Sequence, residues 1–170
     1  MALDSDAELV NYQVQVTDRP ADAEWDAFVA ATPGGHHAQT SQWAQLKATV
    51  GWRAVRVVAT GADRVVGGAQ LLIKPLPLKG AGFIGYVTHG PLIAHDHAAV
   101  QKHVLRELQR VAQQRRIRYL ALQPPGDGLQ HLPRTGPVIV VSNHVSYMDA
   151  ILLGSASPRN SPLAGSKSQA

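Results

Sequence analysis

The sequence predicts an α/β fold in which helices pack against a mixed β-sheet. Segments with strand and helix patterns follow one another over the first 125 residues, and a long amphipathic helix leads directly into a short apolar strand. With 170 residues the chain is long enough to bury one substantial core. Its 45% apolar and 16% charged residues are typical of a folded domain rather than of a disordered chain.

The N-terminal part combines one strand with two helices. Residues 12–17 alternate apolar and polar side chains, as a half-buried strand does. Residues 21–31 carry large apolar side chains at helical spacing, and Pro33-Gly-Gly35 ends this helix. A second helix is expected over residues 40–50, with Trp43, Leu46 and Val50 on its apolar face.

A hairpin and a third strand follow. Residues 54–59 and 65–74 are predicted to pair through a turn at 61–64, and Gly67-Gly68 indicates a bulge or the close approach of another backbone. The third strand is expected over residues 82–88.

The last clear elements are a long helix over residues 96–116 and a buried strand over 119–122. Asp96 is suited to cap the helix, and Pro124-Pro125 stops the strand. The apolar stripe of the helix consists of Val100, Val104, Leu108, Val111 and Ala112.

After Pro125 the composition of the sequence changes. Residues 126–135 resemble a linker, 136–141 form an apolar strand candidate, and 154–170 have the composition of a disordered tail. We therefore predict a domain over residues 1–125, a linker over 126–135, a short unrelated segment over 136–153 and a disordered end over 154–170.

Composition excludes several kinds of chemistry. The absence of cysteine removes disulfides, thiol nucleophiles and Cys-ligated metals. His36-His37 and His95-x-His97 lack a third ligand at a recognisable spacing, so no metal site is expected. The acidic N-terminus has no leader pattern and no apolar run reaches the length of a membrane span, which predicts a cytoplasmic protein. The net charge of +4 leaves peripheral membrane contact open.

Several short motifs in a fixed order are more specific. They are Thr40-Ser-Gln-Trp-Ala-Gln-Leu-Lys47, Gly51-Trp52, Val66-Gly-Gly-Ala-Gln-Leu-Leu72, Lys74-Pro-Leu-Pro77 and Gly85-Tyr86-Val-x-x-Gly90-Pro91. In this order and spacing the region from Trp25 to Pro125 resembles the N-terminal half of the Fem family, the peptidoglycan bridge-forming aminoacyltransferases.

The resemblance implies a GNAT-like acyltransferase fold and a function. Family members transfer an amino acid from aminoacyl-tRNA to an amine of a peptidoglycan precursor, and these two molecules are the implied partners. The reaction needs positioning and oxyanion stabilisation rather than an enzyme nucleophile, and no cofactor is implied. Carried over, Lys47 would contact a phosphate of the precursor and Tyr86 would line the substrate cleft. The family's second domain has no counterpart in this chain, so independent activity as an enzyme is left open.

A basic surface is expected on the long helix and its end. The cations are Lys102, Arg106, Arg110, Arg115, Arg116 and Arg118. Either a tRNA-facing patch or an ordinary solvated helix face would give this pattern. No DNA partner is indicated, and the oligomeric state is not readable from the sequence.

The segment 136–153 carries a second motif. An apolar strand candidate precedes Ser142-Asn-His-Val-Ser-Tyr-Met-Asp149, which resembles the first motif of PlsC-type glycerolipid acyltransferases. By that resemblance His144 would act as general base and Asp149 would orient it. No phosphate-binding motif of that family follows. Two alternatives to the aminoacyltransferase therefore remain: a fragment of a 1-acyl-glycerol-3-phosphate O-acyltransferase, and a non-catalytic remnant of a fusion.

Overall fold

A computed structural model describes residues 12–77, 80–94, 98–125 and 138–140 of the chain. Within these residues seven strands form one sheet. The strands are β1 (Tyr12–Thr17), β2 (Arg53–Gly61), β3 (Arg64–Pro75), β4 (Phe83–Thr88), β5 (Leu92–Ile93), β6 (Ile117–Gln123) and β7 (Val138–Val140). The helices are α1 (Ala23–Ala31), α2 (Ser41–Ala48) and α3 (Ala98–Gln114), and a single 3-10 turn spans His37–Gln39.

The sheet is mixed, as the sequence predicts. Its order is β1-β2-β3-β4-β6-β7, with β1 to β4 antiparallel and the β4–β6 and β6–β7 pairs parallel. The crossover from β4 to β6 runs through α3, which is the usual connection for parallel neighbours. The short β5, which the sequence did not reveal, pairs with β3 beyond the end of β4.

Helix α3 covers one face of the sheet and forms the larger core. Its predicted apolar stripe is buried, and it packs against inward side chains of β2, β3 and β6. The members from these strands include Val55, Val57, Leu71, Leu120 and Leu122. Helices α1 and α2 lie on the opposite face, where Trp25 and Val29 pack against Val58. This division follows from the alternation of strand side chains between the two faces.

Each helix on the second face begins at a capping side chain. The Asp22 carboxylate accepts from the Trp25 amide at 3.1 Å, and the Thr40 hydroxyl accepts from the Trp43 amide at 3.3 Å. The expected apolar face of α2 is different from the observed one. Leu46 and Val50 point into solvent, whereas the small residues Ser41 and Ala44 are buried. Because these buried side chains are small, the helix axis can lie close to the sheet.

The two glycines of β3 confirm the predicted irregularity. Val66 has no partner in the register between Ala59–Gly67 and Thr60–Val65, so the strand bulges next to Gly67. A side chain at Gly68 would collide with the Val57 carbonyl at 2.4 Å and with the Trp25 ring at 2.7 Å. Gly68 therefore lets the buried indole lie directly on the sheet.

Some expectations lie outside the described residues. They are the Asp96 cap, the linker 126–135, the tail 154–170 and the pair His144 and Asp149. Of the segment 136–153, only the β7 backbone is described, and it is parallel to β6, with Leu120 opposite Val138. No helix in the described part is both long and apolar enough to cross a bilayer.

Candidate functional site

A fully buried glutamine organises the surface around Lys47. Strand β3 pairs with β4 from Leu72 onward and with β5 at Gly67 and Gly68, which leaves the backbone of Gln70 without a strand partner on that side. The Gln39 carboxamide fills this gap. Its Oε1 accepts from the Gln70 amide at 2.7 Å, and its Nε2 donates to the Thr88 carbonyl at the end of β4. The loop before α2 is therefore fixed to the sheet where β4 ends.

Further buried hydrogen bonds hold the same loop. The Trp25 indole donates to the Gln39 carbonyl at 2.6 Å. The Gln70 carboxamide donates to the carbonyls of Ala38 and Thr40, and its oxygen accepts from Arg56 Nε at 3.0 Å. Because these polar groups are buried, each unmade bond would cost more than a surface bond contributes. The position of the loop is thus strongly specified.

The loop brings three histidines and a tryptophan together, in what we call the imidazole–indole cluster: His36, His37, His89 and Trp43. The His36 and His89 rings stack at 3.9 Å between centroids, and the His36 and His37 centroids are 4.1 Å apart. His37 in turn meets the Trp43 ring edge-on at 5.1 Å. His89 could not be assigned to this cluster from the sequence, since it is 52 positions from His37 and the two segments are brought together by the Gln39 hydrogen bond to Thr88.

Two of the three imidazoles are held toward the neutral form. Burial lowers the pKa of His36 below its usual value, and the neighbouring His89 and His37 lower it further. Burial likewise lowers the pKa of His89, with a smaller contribution from His37. His36 Nδ1 accepts from the Ala38 amide at 3.2 Å, which places the ring proton of neutral His36 on Nε2. Within the described residues, no group of histidines and carboxylates is arranged to hold a metal ion.

Lys47 provides the positive charge beside this cluster. Its Nζ lies 4.8 Å from the centroid of the Trp43 ring, on the same indole that contacts His37. Such a contact contributes about 0.5–1 kcal/mol at a partly exposed position and holds the ammonium group in place. Lys47 forms no salt bridge with a carboxylate of the described residues. It is therefore a half-exposed, oriented cation that can accept an anionic ligand.

Tyr86 occupies a neighbouring but separate position. It lies on β4 opposite Ala121 of β6, and its hydroxyl donates to Gln123 Oε1 at 2.8 Å. Burial raises its pKa, so the phenol stays protonated near neutral pH. Both residues of this pair lie near the carboxyl ends of parallel strands, a common location for ligand sites in α/β proteins. No described contact joins Tyr86 to Lys47.

A groove of about 740 Å³ lies elsewhere on the sheet. Its lining consists of Leu76, Pro77, Ala81, Arg118 and Tyr119. Neither Lys47 nor Tyr86 lines it, whereas Arg118 belongs to the basic surface expected from the sequence.

Comparison with known proteins places the chain in a family. The family model described as FemAB matches residues 21–148, which is most of the chain. This chain belongs to the FemAB family. The match confirms the resemblance that was based on the motifs around Trp43, Gly51 and Gly85. It also continues beyond Pro125 and covers β7.

Similar proteins are known by sequence. The chain is 30% identical over 103 residues to the Lipid II:glycine glycyltransferase of Staphylococcus saprophyticus, an alignment that covers 61% of this chain and 25% of that protein. The corresponding enzyme of Staphylococcus haemolyticus is 32% identical over 101 residues, covering 59% of this chain and 24% of the relative. This FemAB chain therefore spans about a quarter of the length of these relatives.

A solved structure supports the same fold. The crystal structure of FemX aligns with a TM-score of 0.55 and 26% identity, covering 62% of this chain and 26% of that one. The predicted α/β class, a mixed sheet with flanking helices, is confirmed. The roles of Lys47, Tyr86, His144 and Asp149 remain predictions.

Proposed function

We propose that this FemAB chain binds a phosphate-bearing peptidoglycan precursor and serves aminoacyl transfer to an amine of that precursor. Membership of the family supports a peptidoglycan precursor as the substrate class. The similar staphylococcal enzymes are named for their action on Lipid II, a lipid-linked precursor. The observation that carries the proposal is Lys47, an oriented ammonium group with no carboxylate partner in the described structure. Lysine is well suited to a phosphate as a compact point charge.

The histidines beside Lys47 leave its charge available to an anionic ligand. A carboxylate at this position would neutralise the lysine, but the adjacent side chains are imidazoles, which bring no negative charge. An imidazole N–H can donate a hydrogen bond to a phosphate oxygen. We assign the phosphate contact to Lys47 and a supporting contact to His37, which lies on the same indole ring.

The reaction to be served is amide formation from an ester. The precursor amine attacks the ester carbonyl of aminoacyl-tRNA, a C–N bond forms, the C–O bond to the ribose breaks, and the amine proton passes to the ribose oxygen. The exposed cations of α3 and the turn after it offer a surface for the tRNA phosphates, as charge neutralisation by Lys and Arg requires. Because the chain spans a quarter of its relatives, precursor binding is the part of the reaction that we assign to it.

Calorimetric titration with a soluble nucleotide-linked muramyl pentapeptide tests the proposal. We expect Lys47→Ala to weaken binding about tenfold, because a hydrogen bond to a charged group contributes about 1.5–3 kcal/mol. Lys102→Ala is the matched control, since this exposed lysine lies on α3, on the opposite face of the sheet from α2. It should leave the affinity unchanged.

Three outcomes are informative. Equal affinities of Lys47→Ala and the wild type would remove Lys47 from the site. Failure of the wild type to bind the precursor at millimolar concentration would leave the chain as a non-binding remnant of its family. Transfer from aminoacyl-tRNA in the same mixture, measured with a radiolabelled amino acid, would extend the proposal from binding to catalysis.

A further inference from the structure

Two apolar side chains beside Lys47 are exposed without a partner in the described structure. Leu46 is 57% exposed and Val50 is 58% exposed, the highest values among the large apolar residues described. Leu46 lies in the last turn of α2 and Val50 in the turn that follows, where the Val50 amide donates to the Lys47 carbonyl at 3.2 Å. The two side chains are therefore about one turn apart at the C-terminal end of the helix. Lys47 lies between them in sequence.

Two lysines flank this apolar pair. The Trp52 amide donates to the Lys47 carbonyl at 3.1 Å, which holds the start of β2 against the end of α2. Lys74 of β3 extends over the Trp52 ring, with its Nζ 5.6 Å from the ring centroid. We call Leu46, Lys47, Val50 and Lys74 the α2 patch.

No acidic residue of the neighbouring strands neutralises the patch. The sequence has no Asp or Glu from residue 27 to 62 or from 64 to 95, which includes all of α2, β4 and β5 and every residue of β2 and β3. The carboxylates of Asp22 and Asp26 belong to the other end of α2, where Asp26 accepts from the Ser41 amide at 2.7 Å and the Asp22 amide donates to the Ser41 hydroxyl. That end is about 10 Å along the helix from Ala48, the last residue of α2. The α2 patch therefore combines apolar and cationic side chains, and no carboxylate of α2 or of the neighbouring strands offsets its charge.

We infer that the α2 patch docks on the surface of an anionic lipid bilayer. In this arrangement Leu46 and Val50 enter the boundary between headgroups and acyl chains, and Lys47 and Lys74 contact lipid phosphates. Exposed apolar side chains flanked by Lys and Arg are the combination that binds peripheral segments to membranes. A nucleic acid would use the cations but would leave Leu46 and Val50 without apolar contact.

The inference rests on the proposed function and adds the orientation of the chain relative to the bilayer. If Lys47 binds a phosphate of a lipid-linked precursor, that phosphate lies at the headgroup level, because the lipid chain is held in the bilayer. The helix surface around Lys47 must then reach the same level. The two most exposed apolar side chains are found at that place on the molecule.

Flotation of the full chain with vesicles tests the inference without any precursor. We expect binding to vesicles of equal parts phosphatidylglycerol and phosphatidylcholine, and little binding to phosphatidylcholine alone. Leu46→Ser with Val50→Ser should lower the partition coefficient about tenfold or more, because burying these side chains contributes about 25 cal/mol for each Å². Lys74→Gln should lower it about fivefold and should flatten its salt dependence.

A matched control uses the two other exposed apolar residues described. Val16 and Tyr119 are 36% and 48% exposed and lie on β1 and β6, away from α2. Val16→Ser with Tyr119→Ser should leave vesicle binding unchanged. Circular dichroism and thermal unfolding confirm that the variants are folded, which is expected since every altered side chain is on the surface.

The outcomes separate this inference from the proposed function. It is overturned if the wild type does not bind the anionic vesicles, or if the Leu46/Val50 variant binds as well as the Val16/Tyr119 control. It is also overturned if the Leu46/Val50 variant alters only the oligomeric state in sedimentation, because the patch would then join two copies. Lys47-dependent binding of the soluble precursor is measured in parallel, so it can persist when vesicle binding fails, or be absent when vesicle binding persists.

Discussion

At the scale of single residues, Gln39 determines where the candidate site lies. Its carboxamide takes the position of a neighbouring strand's backbone opposite Gln70, and it is completely buried. The stack of His36 on His89 follows from this anchor, since one ring precedes Gln39 and the other follows Thr88. Nothing in the sequence distinguishes Gln39 from the exposed glutamines at positions 42 and 45.

We predict that Gln39→Ala lowers the free energy of unfolding by about 2–4 kcal/mol, because it leaves buried backbone groups of β3 and β4 without partners. Urea denaturation measures the change. Gln45→Ala, which removes only the 3.2 Å bond to the Pro20 carbonyl at the surface, should change stability by less than about 0.5 kcal/mol. Similar losses for both variants would show that the carboxamide does not bridge the strands.

At the scale of elements, the sequence correctly predicts a turn between β2 and β3. The residues at its centre, however, are not those that this type of turn prefers. Gly61 pairs with Arg64, and the two residues between them have positive φ, 47° at Ala62 and 58° at Asp63. This is the conformation of a type I′ turn, for which Asn-Gly is preferred. Alanine in particular is strained there because its Cβ approaches the following carbonyl oxygen.

Replacing Ala62 with Asn and Asp63 with Gly should therefore stabilise the protein. We expect a gain of about 1 kcal/mol in the free energy of unfolding, visible as a higher urea midpoint. Ala62→Val, which introduces a β-branched side chain at the same positive φ, should have the opposite effect. A hairpin that is insensitive to both changes would contradict the turn geometry.

The buried face of helix α2 differs from the predicted one. Periodicity correctly predicts that the segment is a helix, but it assigns Leu46 and Val50 to the buried face, and that assignment is wrong. Large apolar residues are usually buried, and the sequence carries no indication that Ser41 and Ala44 are buried instead. The exception coincides with the surface on which the membrane inference rests.

At the scale of the whole molecule, β7 bears on where the domain ends. Its backbone is parallel to β6, with Leu122 opposite Val140, and the FemAB match extends to residue 148. The sequence predicted that the folded unit ends at Pro125, and that prediction can be tested by truncation. Without β7, the outer edge of β6 would present unpaired backbone groups.

We expect a chain ending at residue 125 to be less stable than one ending at residue 141. The shorter chain should unfold at a lower urea concentration and should associate more readily in sedimentation velocity, because its apolar β6 edge is open. A chain ending at residue 153 separates the effect of β7 from that of the following motif. Equal stability of the 125- and 141-residue chains would support the boundary at Pro125.

The sequence by itself determined the class of fold, the places of the principal elements and the family. Periodic apolar patterns encode strands and helices locally, and the motifs around Trp43, Gly51 and Gly85 lie in contiguous stretches. The tertiary structure decided what these elements bring together: the Gln39 bridge, the approach of His89 to His36, the orientation of Lys47 over Trp43 and the exposure of Leu46 and Val50. These features depend on which segments the sheet places side by side. Contacts between residues that are far apart in the sequence cannot be predicted from local patterns of side chains.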